Sequence, residues 1–266
     1  MARRKGRKPK KPKDGKDPLD ELLELAQALN LTGLRDQLPA LLASAEEHEI
    51  SYSDLALAML RFEADTRGSR RLTRNLKRSG LPAVIEGLDS FDFSIRPRLE
   101  GRVVKELLNC RWTPEGRNIL CIGKPGTGKT RVLDALAWAA CLKGYTVKKV
   151  ITAEMLEDLH GSLADGTYKR AFRRYEKVGV LYCDEFGYEP FDTEATSHLF
   201  RLVSARHLKR STILAANTGF KSWKRFFPSE AQAVATVDRL IDQATILRFT
   251  GKSFRKPKEI YGAEVD

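Results

Sequence analysis

The chain has 266 residues, with hydrophobic side chains at 42% and aromatics at 8%, enough to build a sizeable core without disulfide or metal staples. Its longest apolar run, Val132 to Leu142, is interrupted by Asp134 and falls short of the ~20 residues a bilayer span needs; with no signal-peptide pattern at the N-terminus, a cytoplasmic protein is expected. Lys and Arg total 47 against 35 Asp and Glu, a formal net charge of +12, which favours an anionic partner.

Residues 2–16 hold nine basic side chains and one acidic one. Such a composition cannot bury a core, so residues 1–17 read as a disordered basic tail that contacts phosphate or serves solubility. From Pro18 onward apolar residues recur at helical spacing in three groups, Leu19 to Leu29, Leu38 to Ala45 and Leu55 to Phe62. They predict a small three-helix domain over residues 18–80, with Gly33 and Ser51–Ser53 as breaks and Ser53 as an N-cap before Asp54. Its last helix carries Arg67, Arg70, Arg71, Arg74, Lys77 and Arg78 with no intervening acid. That is either a contact for an acidic partner or a plain charged surface.

Gly80, Pro82 and Phe91-Asp92-Phe93-Ser94 mark a linker over residues 81–100. Beyond it, strands at Asn118–Ile122, Tyr145–Ile151, Val178–Cys183, Ser211–Ala216 and Ala244–Phe249 alternate with helices at Val132–Lys143, Thr152–Leu163 (capped by Thr152), Tyr168–Lys177, Thr193–Arg206 and Val234–Asp242. This alternation predicts an α/β core, residues 101–256, with a parallel sheet covered by helices on both faces and a C-terminal tail over 257–266. Cys110, Cys121, Cys141 and Cys183 have no metal or redox spacing and read as reduced core residues; the four histidines share no ligand spacing.

The chemistry begins after the first strand. Gly123-Lys124-Pro125-Gly126-Thr127-Gly128-Lys129-Thr130, with Arg131 adjoining it, fits the phosphate-binding loop G-x-x-x-x-G-K-[ST]. Glycines let successive N–H groups curl toward phosphate oxygens while the following helix points its positive end there. Lys129 is expected to reach the β- and γ-phosphates of ATP, and Thr130 to give its hydroxyl to Mg²⁺. The apolar strand Val178–Cys183 ends in Asp184 and Glu185, placed to hold Mg²⁺ and to orient the attacking water respectively. Asn217, at the end of the next apolar strand, can hydrogen-bond that water or the γ-phosphate.

The basic tail, the three-helix lead, the FDFS linker, GKPGTGKT, VLYCDEFG, ILAANTGF followed by a tryptophan, and VDRLID together resemble the IstB-type transposition helper ATPases. These belong to the AAA+ class and are close to DnaC-type helicase loaders and DnaA-type initiators. The resemblance spans about residues 18–256. It implies a P-loop NTPase with an AAA+ core and an active site completed between subunits of a ring or helical homo-oligomer; the sequence departs from the wider AAA+ pattern by ending soon after its last strand, so a helical lid is expected to be absent or minimal. It assigns the sensor role to Asn217 and the arginine finger to Arg239, with Arg206 and Arg225 as weaker alternatives; Arg255 is placed to approach phosphate. It also implies assembly on double-stranded DNA and assistance to the transposase of the same element. A helicase loader acting with single-stranded DNA is the alternative, and a scaffold that binds ATP without hydrolysing it is a third reading, against which Glu185 argues.

In the initiator-type branch, a helical insertion before the acidic strand lines the pore. Here that region is Met155–Lys177, where Arg170, Arg173, Arg174 and Lys177 fall on one helical face, joined by Lys169 and, on the preceding strand, by Lys148 and Lys149. This stripe is expected to track a phosphate backbone without reading sequence, the alternative being a solvated face.

Overall fold

A computed structural model describes residues 17–94, 99–251 and 253. The chain divides between Arg71 and Leu72 into two units. No described helix is long and apolar enough to cross a membrane.

The first unit is built from α1 (Pro18–Ala28), α2 (Thr32–Glu47) and the N-terminal part of α3 (Tyr52–Ser79). The Asp17 carboxylate accepts from the Leu19 N–H at 2.9 Å, and Pro18 occupies the first turn of α1, where its missing donor costs nothing. Two local expectations are corrected. Gly33 is not a break but sits inside α2 against Thr66, the chain turning instead at Asn30, whose φ is +56°. The cap of α3 is Ser51, whose hydroxyl oxygen accepts from the Asp54 N–H, and not Ser53, which is already helical.

No side chain at the start of α2 caps it. The buried Glu63 of α3 does so instead, accepting from the Leu34 N–H at 2.9 Å and pairing with Arg67 at 2.6 Å. Arg67 also donates to the Asn30 carbonyl, and Arg70 bonds the Thr32 hydroxyl. These two cations of the basic run therefore fasten the helices of this unit together. Burial pushes the Glu63 carboxyl upward, but the Leu34 N–H and the Arg67 guanidinium outweigh it and hold the group below the usual carboxylate range. A carboxyl with a lowered native pKa contributes stability above its unfolded pKa and loses it as pH falls through the native value. The helical signal of this unit should therefore weaken on acidification through the carboxylate range. In Glu63→Gln that acid limb should flatten, with about 1–2 kcal/mol already lost at neutral pH through the weakened cap. Circular dichroism against pH checks both.

The second unit is an α/β sandwich. Its sheet comprises β1 (Ile119–Gly123), β2 (Val147–Ile151), β3 (Val180–Phe186), β4 (Ser211–Ala216) and β5 (Thr245–Phe249), all parallel, in the spatial order β2-β3-β4-β1-β5. Strand alternation sorts side chains to two faces. Ile119, Cys121, Val180, Tyr182, Ile213 and Leu247 face α4 (Gly101–Leu107) and α5 (Lys129–Leu142). Leu120, Ile122, Leu181, Cys183 and Leu214 face α6 (Thr152–Ala164), α7 (Tyr168–Glu176), α8 (Thr193–Arg206) and α10 (Glu230–Ile241). The doubly covered parallel sheet expected from the sequence is thus present, preceded by the expected N-terminal helices.

The four cysteines are unpaired and buried, and burial pushes Cys110 and Cys141 up to about 11 and Cys183 up to about 12, so they behave as small apolar groups. Neither α4 nor the short α9 (Phe220–Trp223) follows from the apolar pattern of the chain. The Thr152 hydroxyl, read as a helix cap, instead donates to the Asp184 carbonyl at 2.7 Å.

Candidate functional site

Three strand tips, those of β1, β3 and β4, lie side by side in the sheet and carry the phosphate loop, the acidic pair and Asn217. The crossovers of a parallel sheet place such tips around a crevice at the carboxyl edge. Here the crevice has a volume of about 1010 Å³, and Pro125–Arg131, Asp184, Glu185 and Asn217 all line it.

The loop owes its path to two glycines. A Cβ on Gly123 would stand 2.1 Å from the Phe249 carbonyl oxygen, so only glycine lets β1 and β5 run together to their ends. Gly128, at φ +94°, turns the chain into α5 in the left-handed region. Inside the loop, the Thr127 hydroxyl donates to the Lys124 carbonyl at 2.7 Å. The buried Lys129 ammonium donates to the carbonyls of Gly123 (2.7 Å) and Lys124 (2.9 Å) and to Asn217 Oδ1 (2.8 Å). Lys129 and Asn217, 88 positions apart in the chain, are thus directly bonded.

Thr130 is exposed on the cleft wall. Arg131 turns toward the linker, bonding the Gly87 carbonyl (2.8 Å) and the Ser90 hydroxyl (2.6 Å), pairing with Glu86 at 3.1 Å and lying over the Phe91 ring. It thereby holds Glu86, Ser90, Phe91 and Asp92 along the cleft. None of these linker residues was singled out for the site from the sequence, since nothing local marks a segment that folds back over a distant loop.

Across the cleft, β3 runs further than the sequence predicts and contains a register shift against β4 between Cys183 and Phe186. The irregularity puts Glu185 at φ +53° and leaves its side chain exposed, while Asp184 is half-buried. Asp184 Oδ1 accepts from the Glu185 N–H at 3.0 Å, and the Tyr182 hydroxyl donates to Oδ2 at 3.4 Å. Behind the bulge, Phe186 packs on Trp223, their ring centres 4.8 Å apart, and the Trp223 indole N–H donates to the Thr218 carbonyl. The tryptophan after the Asn-Thr-Gly-Phe stretch is therefore a fully buried bolt between the Glu185 and Asn217 loops.

Lys149 corrects the expected cationic stripe. Its ammonium pairs with Asp134 of α5 at 2.7 Å, lies 3.8 Å from Asp184 Oδ2 and sits over the Tyr182 ring, with its side chain 18% exposed. Strand neighbours point to opposite faces, so Lys148 and Lys149 cannot share one surface. Burial between α5 and the sheet pushes the Asp134 carboxyl upward against the pull of Lys149. Of the remaining stripe, Lys169, Arg170 and Arg173 are exposed, Arg174 pairs with Asp158, and Lys177 lies near Glu176.

None of Arg206, Arg225 and Arg239 lines the cleft of its own chain. Arg239 bonds the Ala235 carbonyl and lies over the Phe200 ring, and Arg225 is exposed. Arg206 is removed from consideration as a finger. It is fully buried and donates to the carbonyls of Tyr175, Glu176, Val178 and Ser211 and to the Thr212 hydroxyl. Burial pulls it down to about 9, so it stays protonated at neutral pH. Arg255 lies outside the described residues.

Among the described residues no cluster of three or more His, Cys, Asp or Glu could cage a metal. Thr130 and Asp184 nevertheless suit Mg²⁺, which takes one or two oxygen ligands from the protein and the rest from water and phosphate.

The sequence profile of the family described as IstB-like ATP binding protein matches residues 24–261. A protein named as an insertion sequence IS21 ATP-binding protein, from Pseudomonas aeruginosa, is 31% identical over 85% of this chain and 85% of its own length. A protein named as an ATP-binding protein in an insertion sequence of Mycobacterium tuberculosis is 31% identical over 87% of this chain and 92% of its own. The crystal structure of a DNA replication initiation factor aligns with a TM-score of 0.53 at 21% identity, covering 64% of this chain and 51% of that one; it is similar in fold. With the P-loop, the sheet order and a profile match over most of its length, this chain belongs to the IstB-like ATP-binding protein family.

Proposed function

We propose that the chain is a Mg²⁺-dependent ATPase that assembles on double-stranded DNA and assists the transposase of its insertion sequence in target selection and DNA insertion. The observation that supports it most is the single cleft in which Lys129 and Asn217 face Asp184 and Glu185. ATP entering this cleft exchanges the loop carbonyls around Lys129 for β- and γ-phosphate oxygens, and the loop N–H groups take up the remaining charge. Thr130 and Asp184 would hold Mg²⁺, which when bound neutralises charge on the phosphates. Glu185 accepts a proton from water as the water oxygen bonds to the γ-phosphorus; the bond to the β–γ bridging oxygen breaks, releasing ADP and inorganic phosphate. Asn217 positions that water or the γ-phosphate.

Among the described residues the cations lining the cleft are Lys129 and Arg131, while Arg239 lies on α10 away from its own cleft. In the reading we favour it reaches a neighbouring subunit's ATP and stabilises charge on the transferring phosphoryl group, making turnover dependent on assembly. The exposed cations of α7, Lys169, Arg170 and Arg173, with Arg174 and Lys177 beside them, supply backbone contacts to DNA. These contacts carry no base readout and weaken steeply with salt. Lys148 remains a candidate beside them, whereas Lys149 is occupied elsewhere.

The test is binding of the purified protein to matched duplex and single-stranded DNA, with and without ATP–Mg²⁺, while its size in solution is followed. ATP-dependent assembly on duplex is expected, and preference for single strands would replace this reading with that of a helicase loader. With phosphate release followed alongside, Glu185→Gln should lower turnover by about 10²–10⁴-fold and leave ATP-bound oligomers on DNA. Undiminished turnover would remove Glu185 from its role.

A further inference from the structure

The ammonium of Lys149 has no place in the DNA surface and none in the ATPase cycle outlined above, yet it lies where three elements of the nucleotide site converge. β2 delivers it to the α5 face of the sheet, on the same side as Val147. There it bonds Asp134 Oδ1 at 2.7 Å, and Asp134 lies in α5, the helix that the phosphate loop opens. Its next neighbour is Asp184 Oδ2 at 3.8 Å, and the Tyr182 ring lies 4.8 Å below it. Tyr182 is fully buried, and its hydroxyl donates to that same Oδ2. Both carboxylates are largely enclosed, with side-chain exposures of 12% for Asp134 and 16% for Asp184.

Two carboxylates this enclosed repel each other unless a cation stands between them. Lys149 is the cation found there, and its placement is asymmetric. It makes a hydrogen bond to Asp134 and only a longer electrostatic contact to Asp184. With Lys149 and Tyr182 on the Oδ2 side and the Glu185 N–H on Oδ1, the rotation of the Asp184 carboxylate is fixed.

We infer that Lys149 is a positioning residue of the ATPase site: anchored by Asp134, it holds the Asp184 carboxylate in the orientation that presents an oxygen to the metal of bound ATP. The inference rests on the proposed role of Asp184 and extends it to a residue that touches neither nucleotide nor metal. It also joins the phosphate-loop helix to the acidic strand through one ammonium.

The experiment measures how strongly Mg²⁺ tightens binding of a fluorescent ATP analogue, by titration with Mg²⁺ and with EDTA, alongside thermal unfolding. Lys149→Met should lose most of the Mg²⁺-dependent tightening, a drop of about tenfold or more, while binding in EDTA stays within about twofold of wild type. It should also unfold at lower temperature, because Asp134 is left uncompensated. Lys149→Met with Asp134→Asn removes that burden, so it should regain thermal stability without regaining the Mg²⁺ effect. Recovery of both in the double variant would overturn the proposal, leaving Lys149 as a counter-charge to Asp134 alone. Unchanged or stronger Mg²⁺ dependence in Lys149→Met would overturn it as well. If Lys149→Met does not fold, the same comparison is made between Asp134→Asn and the double variant, which differ only in the ammonium. Asp184→Asn serves as reference: if it too keeps the full Mg²⁺ effect, the metal role of Asp184 falls and the Lys149 proposal falls with it, whereas loss in Asp184→Asn with none in Lys149→Met overturns the Lys149 proposal only.

Discussion

Lys129→Ala is expected to weaken ATP binding by about 100-fold or more. Hydrogen bonds from a charged donor contribute about 1.5–3 kcal/mol each, and every 1.4 kcal/mol is tenfold in affinity. Two such bonds to phosphate would suggest a still larger loss. The ammonium also bonds Gly123, Lys124 and Asn217, however, so phosphate competes with these partners and the net loss is smaller than the gross one. The same fact predicts a second effect. Without the ammonium, two loop carbonyls and the Asn217 amide lose a shared donor, and the nucleotide-free variant should itself be less stable by about 1–2 kcal/mol. Titration with a fluorescent ATP analogue and thermal unfolding without nucleotide read the two effects separately. Affinity within threefold of wild type would mean that this lysine does not contact phosphate.

Arg206→Ala should destabilise the α/β unit by about 4 kcal/mol. The guanidinium gathers the end of α7 through Tyr175 and Glu176, the entry to β3 through Val178, and the entry to β4 through Ser211 and Thr212. The Tyr175, Ser211 and Thr212 acceptors are buried and those of Glu176 and Val178 partly so, so removing the donor leaves several acceptors without partners where water cannot readily replace it. Arg206→Lys should recover only a part, because one ammonium cannot reproduce the planar fork. Urea unfolding measures the loss. Amide hydrogen exchange should place the earliest opening at α7, the helix with the exposed cations, so DNA affinity should fall together with stability. A cost below 1 kcal/mol would show that these carbonyls are satisfied in some other way.

Features that are local in the chain were the legible ones. The phosphate loop is eight consecutive residues whose spacing alone dictates its chemistry, and the acidic pair ends an apolar run that can only be a buried strand. The position of Asn217 follows from the end of the apolar run Ser211–Ala216. What escaped depends on partners far away in sequence. Glu63 caps a helix 29 positions before it, and Arg206 looks like any basic residue at a helix end until the turn between α7 and β3 closes around it. Lys149 is different, because the signal was there and was misread. Two adjacent lysines on a strand cannot both face outward on the same side, and the pairing of Lys149 with Val147 on one face already pointed it toward α5. The helical grouping of residues 18–78 gave three helices correctly, but Gly33 and Ser53 were assigned by residue type, whereas the turn lies at Asn30 and the cap at Ser51.

The order of strands in the sheet also bears on how the protein is made. β1 sits between β4 and β5, with Ile119 paired to Ile213 and to Thr245, so the strand that launches the phosphate loop has no sheet neighbour until most of the chain has been synthesised. Pairings this distant in sequence are slow to form. A nascent or truncated chain would carry the full GKPGTGKT sequence with no Asn217 beside it and no wall opposite. Nucleotide that binds the completed site in preference to the unfolded chain draws the folding equilibrium toward the finished core. For a protein whose short apolar strands stay unpaired until late, bound ATP acts in effect as a folding ligand.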